Sequence, residues 1–346
     1  MSRRGATLLI AGIGVLACLV VVFALPVPYV ALIPGPTYNT LGPLNGKPVV
    51  QITGHRTYTA PGHLNMVTVS YVGGPGANPP FTIVAALQAW LSPHEAVVPQ
   101  QELFPTGKTQ QQVVKQDTEQ MANSQQTAQA AALCQLGIAF TTTDTVAQTI
   151  KGLPAAGHLR RGDVIAAVDG QPVTCRRSAA TMIEAHPVGS RVELTIRRGG
   201  KSRNISLTTS SYQGRPVIGV NVVESFTFPF KVKINIGNVG GPSAGMMFAL
   251  AIIDKLTPAN LAGGKYIAGT GEIAVDGAVS PIGGIQQKMT AARAAGATVF
   301  LAPAGNCADT AGAVPAGLRV VKVSTLRGAI AALKALKAGK PVPACS

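Results

Sequence analysis

An uncharged run of 19 residues, Thr7–Leu25, follows closely on Arg3 and Arg4 at the amino terminus. A helix of that length measures about 28 Å at about 1.5 Å per residue, which is close to the thickness of a bilayer core. Positive charges before a span stay in the cytoplasm, so the run predicts a transmembrane helix at residues 7–25 after a cytoplasmic tail at residues 1–6. The rest of the chain is then extracytoplasmic, held at the cell membrane by a single pass.

A cleavable signal peptide is the alternative explanation of this run. Signal peptides have a shorter apolar region, and small residues mark their cleavage site. The segment that follows the run is Pro26-Val27-Pro28-Tyr29, which is a poor cleavage site. An uncleaved anchor is therefore favoured.

The composition is that of a folded protein with a basic surface. Hydrophobic residues make up 47% of the 346, which is too many for a disordered chain, and 29 Lys and Arg against 14 Asp and Glu give a net charge of +15. The basic excess is spread over residues 121–346 without an aromatic-interleaved stripe, whereas a nucleic-acid footprint is clustered. Nucleic acid is not predicted as a partner. Attraction to anionic lipid and simple solubility both remain open as explanations of the charge.

Cysteine usage fits an oxidising compartment. Cys18 lies within the predicted span, and the other four cysteines follow it without the C-x-x-C spacing of a zinc site. Neither a metal nor another cofactor is predicted. The local pairings Cys134–Cys175 and Cys307–Cys345 are favoured, and four unpaired thiols are the alternative.

Residues 26–135 predict an extracytoplasmic region of short strands and one long helix that packs with the carboxyl-terminal domain. Val49–Ile52 and Met66–Val72 have the composition of strands. Thr109–Gln112 is typical of a capping box, and it opens a Gln- and Ala-rich helix that continues to about Leu136.

Within this region, Gly107-Lys108-Thr109 is similar to the end of a phosphate-binding loop. The first glycine of that motif would stand at position 102, where the chain has Glu102. A carboxylate there would repel phosphate, so no ATP site is predicted.

Residues 136–210 contain strand and turn signals in close order. Val164–Val168 has the pattern of a buried strand, and Asp169-Gly170 is a strong hairpin turn. The pattern Leu-x-x-Gly-Asp-x-Ile-x-x-Val-x-Gly at residues 159–170 closely resembles a PDZ domain of the bacterial protease type. The resemblance implies peptide binding by strand addition in a groove between a strand and a helix. Leu136-Gly137-Ile138 is similar to the family's carboxylate-binding turn, although a glycine C-cap of the preceding helix is an equally good explanation.

A second motif, Gly-Gly-Pro-Ser-Ala-Gly at residues 240–245, stands between a predicted strand at Phe230–Ile236 and an apolar segment. Proline suits the first position of a helix, which would place Ser243 at a helix amino terminus. Unpaired N–H groups and the positive end of the helix dipole can stabilise an oxyanion there, and Gly241 and Ala244 are the predicted donors. An ordinary serine near a helix cap is the alternative.

Gly241-x-Ser243-x-Gly245 also has the form of the nucleophile elbow of α/β-hydrolases. That fold requires its histidine after the serine in chain order. All five histidines precede Ser243, the last being His186. The elbow interpretation therefore fails, and another base is needed.

Lys288 is the candidate base, on a predicted helix that ends at Gly296. A lysine at its ordinary pKa of about 10.4 is protonated near neutrality, so its pKa must fall by roughly 3 units through burial. Small apolar neighbours make a dry pocket plausible. A solvated surface lysine is the alternative.

Taken in order, Gly-Pro-Ser-Ala-Gly at 241–245, Thr-Gly-Glu-Ile at 270–273, Pro-Ile-Gly-Gly at 281–284 and Lys288 resemble the proteolytic domain of the Lon family, S16. The match runs from about Lys231 to Asn306. The family has a serine–lysine dyad, and the resemblance implies an ATP-independent serine peptidase when no phosphate loop is present.

Residue by residue, the resemblance implies Ser243 as nucleophile, Lys288 as base and Thr270 as a hydroxyl near the dyad. It implies a ribosomal-protein-S5 domain-2-like fold for residues 211–346. One departure is clear: typical Lon enzymes carry an acidic residue before Gly-Pro-Ser, and this chain has Gly240.

The whole chain, an α+β protein, resembles the membrane-anchored, PDZ-containing Lon-like proteases. The resemblance implies an endopeptidase acting on extracytoplasmic or membrane-proximal proteins, with the PDZ domain recognising substrates or gating the dyad. It also implies a homo-oligomer, a hexameric ring by analogy with the family. The alternative function is a catalytically silent, peptide-binding membrane anchor.

Overall fold

A computed structural model describes residues 3–59 and 61–345, apart from the side chains of Arg3, Ala6, Leu8 and Cys18 in the first helix. The side chain of Cys18, predicted to lie in the span, is thus outside the described residues. The helices are α1 Arg3–Ala24, α2 Ile83–Leu91, α3 Gln100–Leu103, α4 Gln110–Leu136, α5 Ala179–Glu184, α6 Gly245–Leu256, α7 Ile285–Ala294, α8 Cys307–Thr310 and α9 Leu326–Lys337, with a 3-10 turn at Ala304–Asn306. The strands are β1 Tyr29–Asn39, β2 Pro43–Leu44, β3 Lys47–Pro48, β4 Val50–Thr53, β5 His63–Gly73, β6 Ala96–Pro99, β7 Thr141–Thr149, β8 Val164–Val168, β9 Gln171–Pro172, β10 Arg191–Arg198, β11 Lys201–Thr208, β12 Ser210–Tyr212, β13 Arg215–Val217, β14 Val220–Thr227, β15 Lys231–Ile234, β16 Tyr266–Gly269, β17 Glu272–Ile273, β18 Val279–Ser280, β19 Val299–Pro303 and β20 Arg319–Val323.

Helix α1 precedes the folded body and packs against α2. Across the part of the chain that the structure describes, no helix has the combined length and apolarity of a membrane span. The structure therefore does not confirm the predicted span at residues 7–25, which stays a prediction.

One of two six-stranded sheets combines strands from the first and last thirds of the chain, in the order β20-β19-β16-β5-β1-β6. Strands β16, β19 and β20 run parallel, and β5 pairs in parallel with β16 through His63 opposite Tyr266. Strand β15, from the carboxyl-terminal part of the chain, pairs antiparallel with β4. Residues 26–135 are consequently part of the same domain as the carboxyl-terminal residues, and not only packed against it. We call this the main domain.

Alternate residues of the main sheet face opposite helices, as the period of two in a strand requires. Met66 packs in the core formed around α6, whereas Val67 packs in the core formed around α7. Helix α6 is buried on nearly every side because its sequence is apolar all round. Two helices thus cover the sheet where β16 ends, at Gly269.

The second sheet has the order β11-β10-β8-β7-β14, with β9 paired to β8 and α5 packed against it. The predicted hairpin turn has left-handed φ angles at Asp169 and Gly170, as a two-residue hairpin needs. Strand β14 (Val220–Thr227) belongs to this sheet, so the predicted boundary at residue 210 falls inside the unit. We call residues 141–227 the inserted unit.

Helix α4 lies against both units. Its capping box is confirmed: the Thr109 hydroxyl accepts from Gln112 N–H, and the Gln112 side chain accepts from Thr109 N–H. The Cys134–Cys175 disulfide ties the end of α4 to the inserted unit, and Cys307–Cys345 closes the end of the main domain. These are the pairings that the sequence favours.

Candidate active site

Ser243 lies in the turn that leads into α6, half-buried and ahead of the helix. The helix begins at Gly245 with Ala244 as its N-cap, so Pro242 is not the first helical residue as predicted. Gly245 N–H donates to the Pro242 carbonyl at 3.3 Å, which closes the turn around the serine. The hydroxyl of Ser243 still lies near the positive end of the α6 dipole.

Lys288 reaches Ser243 from α7, although 45 residues separate them in the chain. The distance from Lys288 Nζ to Ser243 Oγ is 3.1 Å, within hydrogen-bonding range. Lys288 lies one turn into α7 and is only 4% exposed. The structure therefore brings the predicted nucleophile and the predicted base into direct contact.

Thr270, at the end of β16, completes the arrangement. Its hydroxyl donates to the Ser243 carbonyl at 2.9 Å and accepts from Lys288 Nζ at 3.3 Å. Gly271 N–H donates to the same Ser243 carbonyl at 2.7 Å. The end of the strand thereby fixes both the backbone of the nucleophile and the position of the amine.

Burial lowers the pKa of Lys288 from 10.5 to about 8. The cause is desolvation of the ammonium form, and among the described side chains no carboxylate forms an ion pair with Lys288 that would oppose the shift. At pH 7 about a tenth of the molecules then hold a neutral amine, a far larger share than for a solvated lysine. A neutral amine can accept the proton of the Ser243 hydroxyl.

Helix α4 supports the nucleophile loop, and sequence reasoning missed this. Gly241 N–H donates to the Asp117 carbonyl at 2.9 Å, and Ser124 Oγ donates to the Pro242 carbonyl at 3.0 Å. A β-carbon at Gly240 would lie 2.7 Å from the Asp117 β-carbon. Helix α4 thus occupies the space that a side chain at position 240 would need, and the glycine in that motif position was the only signal in the sequence.

The prediction of Gly241 as an oxyanion donor is wrong, because its N–H donates to Asp117. Ala244 is the N-cap of α6, and N–H groups in a first turn lack intrahelical partners. Ala244 therefore stays the predicted donor.

The carboxylate-binding assignment of Leu136–Ile138 is also wrong. Gly137 is left-handed and donates its N–H to Cys134 O at 3.2 Å, and Ile138 donates to Leu133 O at 2.9 Å. Both donors serve the end of α4, so the alternative explanation, a glycine C-cap, is the correct one.

The groove of the inserted unit lies instead between α5 and β14, with a volume of about 750 Å³. Val217, Ile218 and Gly219, which directly precede β14, line it, and so do polar side chains of α4. The segment beside the groove therefore follows residue 210, beyond the predicted limit of the unit.

Replacing Gly240 by alanine is expected to lower kcat about tenfold. The added β-carbon overlaps Asp117, and overpacking of this kind costs about 1–3 kcal/mol. The resulting strain would displace the loop that carries Ser243 from its contacts with α4. The measurements are kcat for peptide hydrolysis and the Tm of the variant.

Gly283→Ala is the matched control, because a β-carbon at Gly283 meets no atom within 4 Å. It should keep full activity. Full activity in Gly240→Ala as well would show that the contact with α4 does not position Ser243.

Two models of known protein families match this chain, one within the main domain and one over most of the inserted unit. Residues 230–333 match the model of the Lon protease (S16) C-terminal proteolytic domain, and residues 134–209 match the PDZ domain. A Lon protease of Roseiflexus castenholzii is 31% identical over 153 residues, which is 42% of this chain and 19% of that protein. Lon protease 1 of Bacillus subtilis is 30% identical over 159 residues, 44% of this chain and 20% of that protein.

Among solved structures, the PDZ domain of an SdrC-like protein from Listeria innocua is 28% identical. The match covers 23% of this chain and 92% of that domain, with a TM-score of 0.22. This chain spans about a fifth of the length of the Lon proteases that it matches. It contains a serine peptidase domain of the Lon type and a PDZ domain, and the Ser243–Lys288 contact lies in the former.

Proposed function

We propose that this chain, in which a PDZ domain is joined to a Lon-type serine peptidase domain, is an endopeptidase with Ser243 as nucleophile and Lys288 as base. The observation that carries the proposal is the 3.1 Å contact between the Ser243 hydroxyl and a buried amine whose pKa is about 8. Serine is a weak nucleophile until an adjacent base takes its proton. Burial gives Lys288 the capacity to be that base.

In the first half-reaction, neutral Lys288 takes the proton of Ser243 as Oγ bonds to the peptide carbonyl carbon. The backbone N–H of Ala244, at the start of α6, stabilises the oxyanion. The carbon–nitrogen bond then breaks, and the Lys288 ammonium gives its proton to the departing amine. An ester on Ser243 remains, and Lys288 is neutral again.

In the second half-reaction, Lys288 takes a proton from water as the water oxygen attacks the ester. The bond from carbon to Ser243 Oγ breaks, and the proton returns from Lys288 to Oγ. Thr270 accepts a hydrogen bond from Nζ and holds it toward the serine throughout. No step requires a nucleotide.

Independence from ATP is part of the proposal. Thr109, in the segment that is similar to a phosphate loop, caps α4, and Lys108 donates to Gln116. Glu102 stands where that motif needs glycine. Adding ATP and Mg²⁺ should leave the rate of hydrolysis unchanged.

The test is hydrolysis of an unstructured polypeptide by the full chain, followed by mass spectrometry of the fragments. We expect cleavage without nucleotide, and no cleavage by Ser243→Ala. If both proteins leave the polypeptide intact while the groove still binds peptides, the chain is the catalytically silent binder and the peptidase proposal is wrong.

We also propose that α1 anchors the chain in the membrane, with the body extracytoplasmic. Support comes from the uncharged run Thr7–Leu25 and from apolar side chains that α2 leaves exposed beside it, Trp90 at 72% and Leu91 at 75%. Tryptophan is enriched at membrane interfaces. The bridge between Pro26 and Thr82 places the start of α2 at the end of α1.

Fractionation of cells that make the full chain tests the anchor. We expect the chain in the membrane pellet after alkaline carbonate extraction, and protease added outside the cytoplasmic membrane should digest the body. A variant without residues 1–25 should be released. Recovery of the intact chain in the carbonate supernatant would contradict the anchor.

A further inference from the structure

The groove between α5 and β14 offers a free strand edge to a peptide. Strand β14 pairs with β7 on one side and is the edge of its sheet, with α5 across the groove. Ile165, Ile183 and Val222 contribute apolar lining. An extended segment of a partner chain can therefore add to β14 by backbone hydrogen bonds, and its side chains then meet the lining.

Two carboxylates meet in the lining of this groove. Asp144 on β7 lies directly opposite Glu224 on β14 in the strand register, and both line the cavity. Like charges directly opposite each other destabilise a strand pair. Glu224 is exposed to solvent, whereas Asp144 is only 2% exposed.

Asp144 is only partly satisfied. Its Oδ2 accepts from Ala179 N–H at 3.2 Å, but Oδ1 has no hydrogen-bond partner among the described residues. A buried polar atom without a partner is costly, and native structures contain few of them. The Oδ1 atom of Asp144 in the groove lining can therefore accept a further hydrogen bond.

Within residues 3–59 and 61–345, no cation of the chain lies against this pair. No lysine or arginine is among the described residues that line the groove, and neither carboxylate forms an ion pair in the described part of the chain. Burial raises the pKa of Asp144. Neighbouring atoms partly desolvate the Glu224 carboxylate even though the residue is exposed; this desolvation, followed by the charges of Asp144 and of Asp276 in the main domain, raises the pKa of Glu224. Asp144 and Asp276 therefore place negative potential at Glu224, and a cation beside Glu224 would be stabilised by that potential.

We propose that the groove takes an extended peptide segment that carries a lysine or arginine, with the cation against Glu224 and close to Asp144. This inference rests on the proposed endopeptidase function, together with the expectation from the sequence that the PDZ domain recognises substrates, and it names the class of segment recognised. A metal ion is a poorer match, because the described residues contain no group of three or more His, Cys, Asp or Glu that could hold one. The apolar lining also suits a side chain with an aliphatic stem.

The experiment uses the full chain with Ser243→Ala, which removes the nucleophile so that peptides are not consumed. The probes are fluorescein-labelled octapeptides of alternating serine and valine, with one lysine moved in turn along the peptide and glutamine as its matched replacement. Binding is measured by fluorescence anisotropy at neutral pH and low salt. At the best position we expect lysine to bind at least about tenfold more tightly than glutamine, as for a charge-assisted hydrogen bond.

Glu224→Gln should abolish the lysine preference while leaving the glutamine peptide unaffected. Asp144→Asn, which keeps an oxygen to accept from Ala179, should reduce the preference. Glu193→Gln is the matched control, since Glu193 is exposed on β10 and does not line the groove. Equal affinity for the lysine and glutamine peptides at every position would overturn the inference, as would an intact preference in Glu224→Gln.

Hydrolysis of a lysine-free unstructured peptide by the chain with Ser243 intact separates this inference from the peptidase proposal. Hydrolysis without any lysine preference overturns only the inference. A lysine preference without hydrolysis overturns only the peptidase proposal.

Discussion

Replacing Lys288 by methionine is expected to abolish peptide hydrolysis, with a fall in kcat of about 10⁴-fold or more. Methionine fills the buried site but cannot accept the proton of Ser243, which lies 3.1 Å from the lysine amine. Ser243→Ala should show a loss of similar size. Because the two residues act as a unit, the double variant should be no worse than either single one.

Stability is the control for this variant. The pKa of Lys288 is about 8 in the folded chain, against an ordinary value of 10.5. The unfolded chain therefore binds more protons between these values, and the free energy of unfolding decreases as the pH falls through that window. Lys288→Met removes this penalty, so its Tm at neutral pH should equal or exceed that of the parent chain.

If Lys288→Met lost activity and its Tm also fell, the loss would be explained by misfolding and not by removal of the base. Cleavage retained by Lys288→Met would show that another group is the base. A matched change, Lys255→Gln, alters a second partly buried lysine whose pKa burial also lowers, and whose Nζ contacts the Leu41 carbonyl instead of Ser243. It should retain hydrolysis.

The second large effect is in the pH dependence of kcat/KM. Only the neutral amine can take the serine proton, so the rate should rise tenfold per pH unit below the pKa of Lys288 and level off above about pH 8. A solvated lysine would place that midpoint near 10.4. The measurement is kcat/KM for an uncharged peptide from pH 6 to 10, which spans the pKa of about 8.

Lys255→Gln should leave the midpoint unchanged. A rate that is flat across this range would contradict a lysine base. A midpoint above pH 10 would contradict the burial of Lys288.

The reacting pair could be predicted from the sequence because its signals are local. Gly-Pro-Ser-Ala-Gly is a compact motif, and Lys288 follows a glycine pair at a fixed spacing within a helical pattern. The capping box at Thr109 and Gln112 is likewise a local signal, four residues long, and the structure has it. A reacting pair whose members each lie in a short motif can be recognised in one sequence, even when the two motifs are far apart in the chain.

The environment of the pair could not be predicted in the same way. Parallel pairing of β5 with β16 joins residues about two hundred positions apart, and no local pattern encodes such a pairing. The support of the nucleophile loop by Asp117 and Ser124 is also long-range. Gly241 was mistaken for an oxyanion donor because its N–H is used by a helix whose position the sequence does not show.

The groove between α5 and β14 could not be predicted from the sequence for the same reason. Leu136-Gly137-Ile138 has the composition of a carboxylate-binding turn, but hydrogen bonds to α4 decide its role. Strand β14 lies beyond the predicted end of the domain, and its pairing with β7 brings Glu224 opposite Asp144. The acidic pair thus depends on register, which composition does not reveal.

The activation of Ser243 by a neutral, buried Lys288 is tested most directly by covalent labelling. The rate at which a serine-directed sulfonyl fluoride modifies Ser243 can be followed by mass spectrometry across the pH range, in the parent chain and in Lys288→Met. We predict a labelling rate that rises through about pH 8 in the parent chain and is at least about a hundredfold lower in Lys288→Met. Equal labelling of Ser243 in the two proteins at every pH would contradict the account.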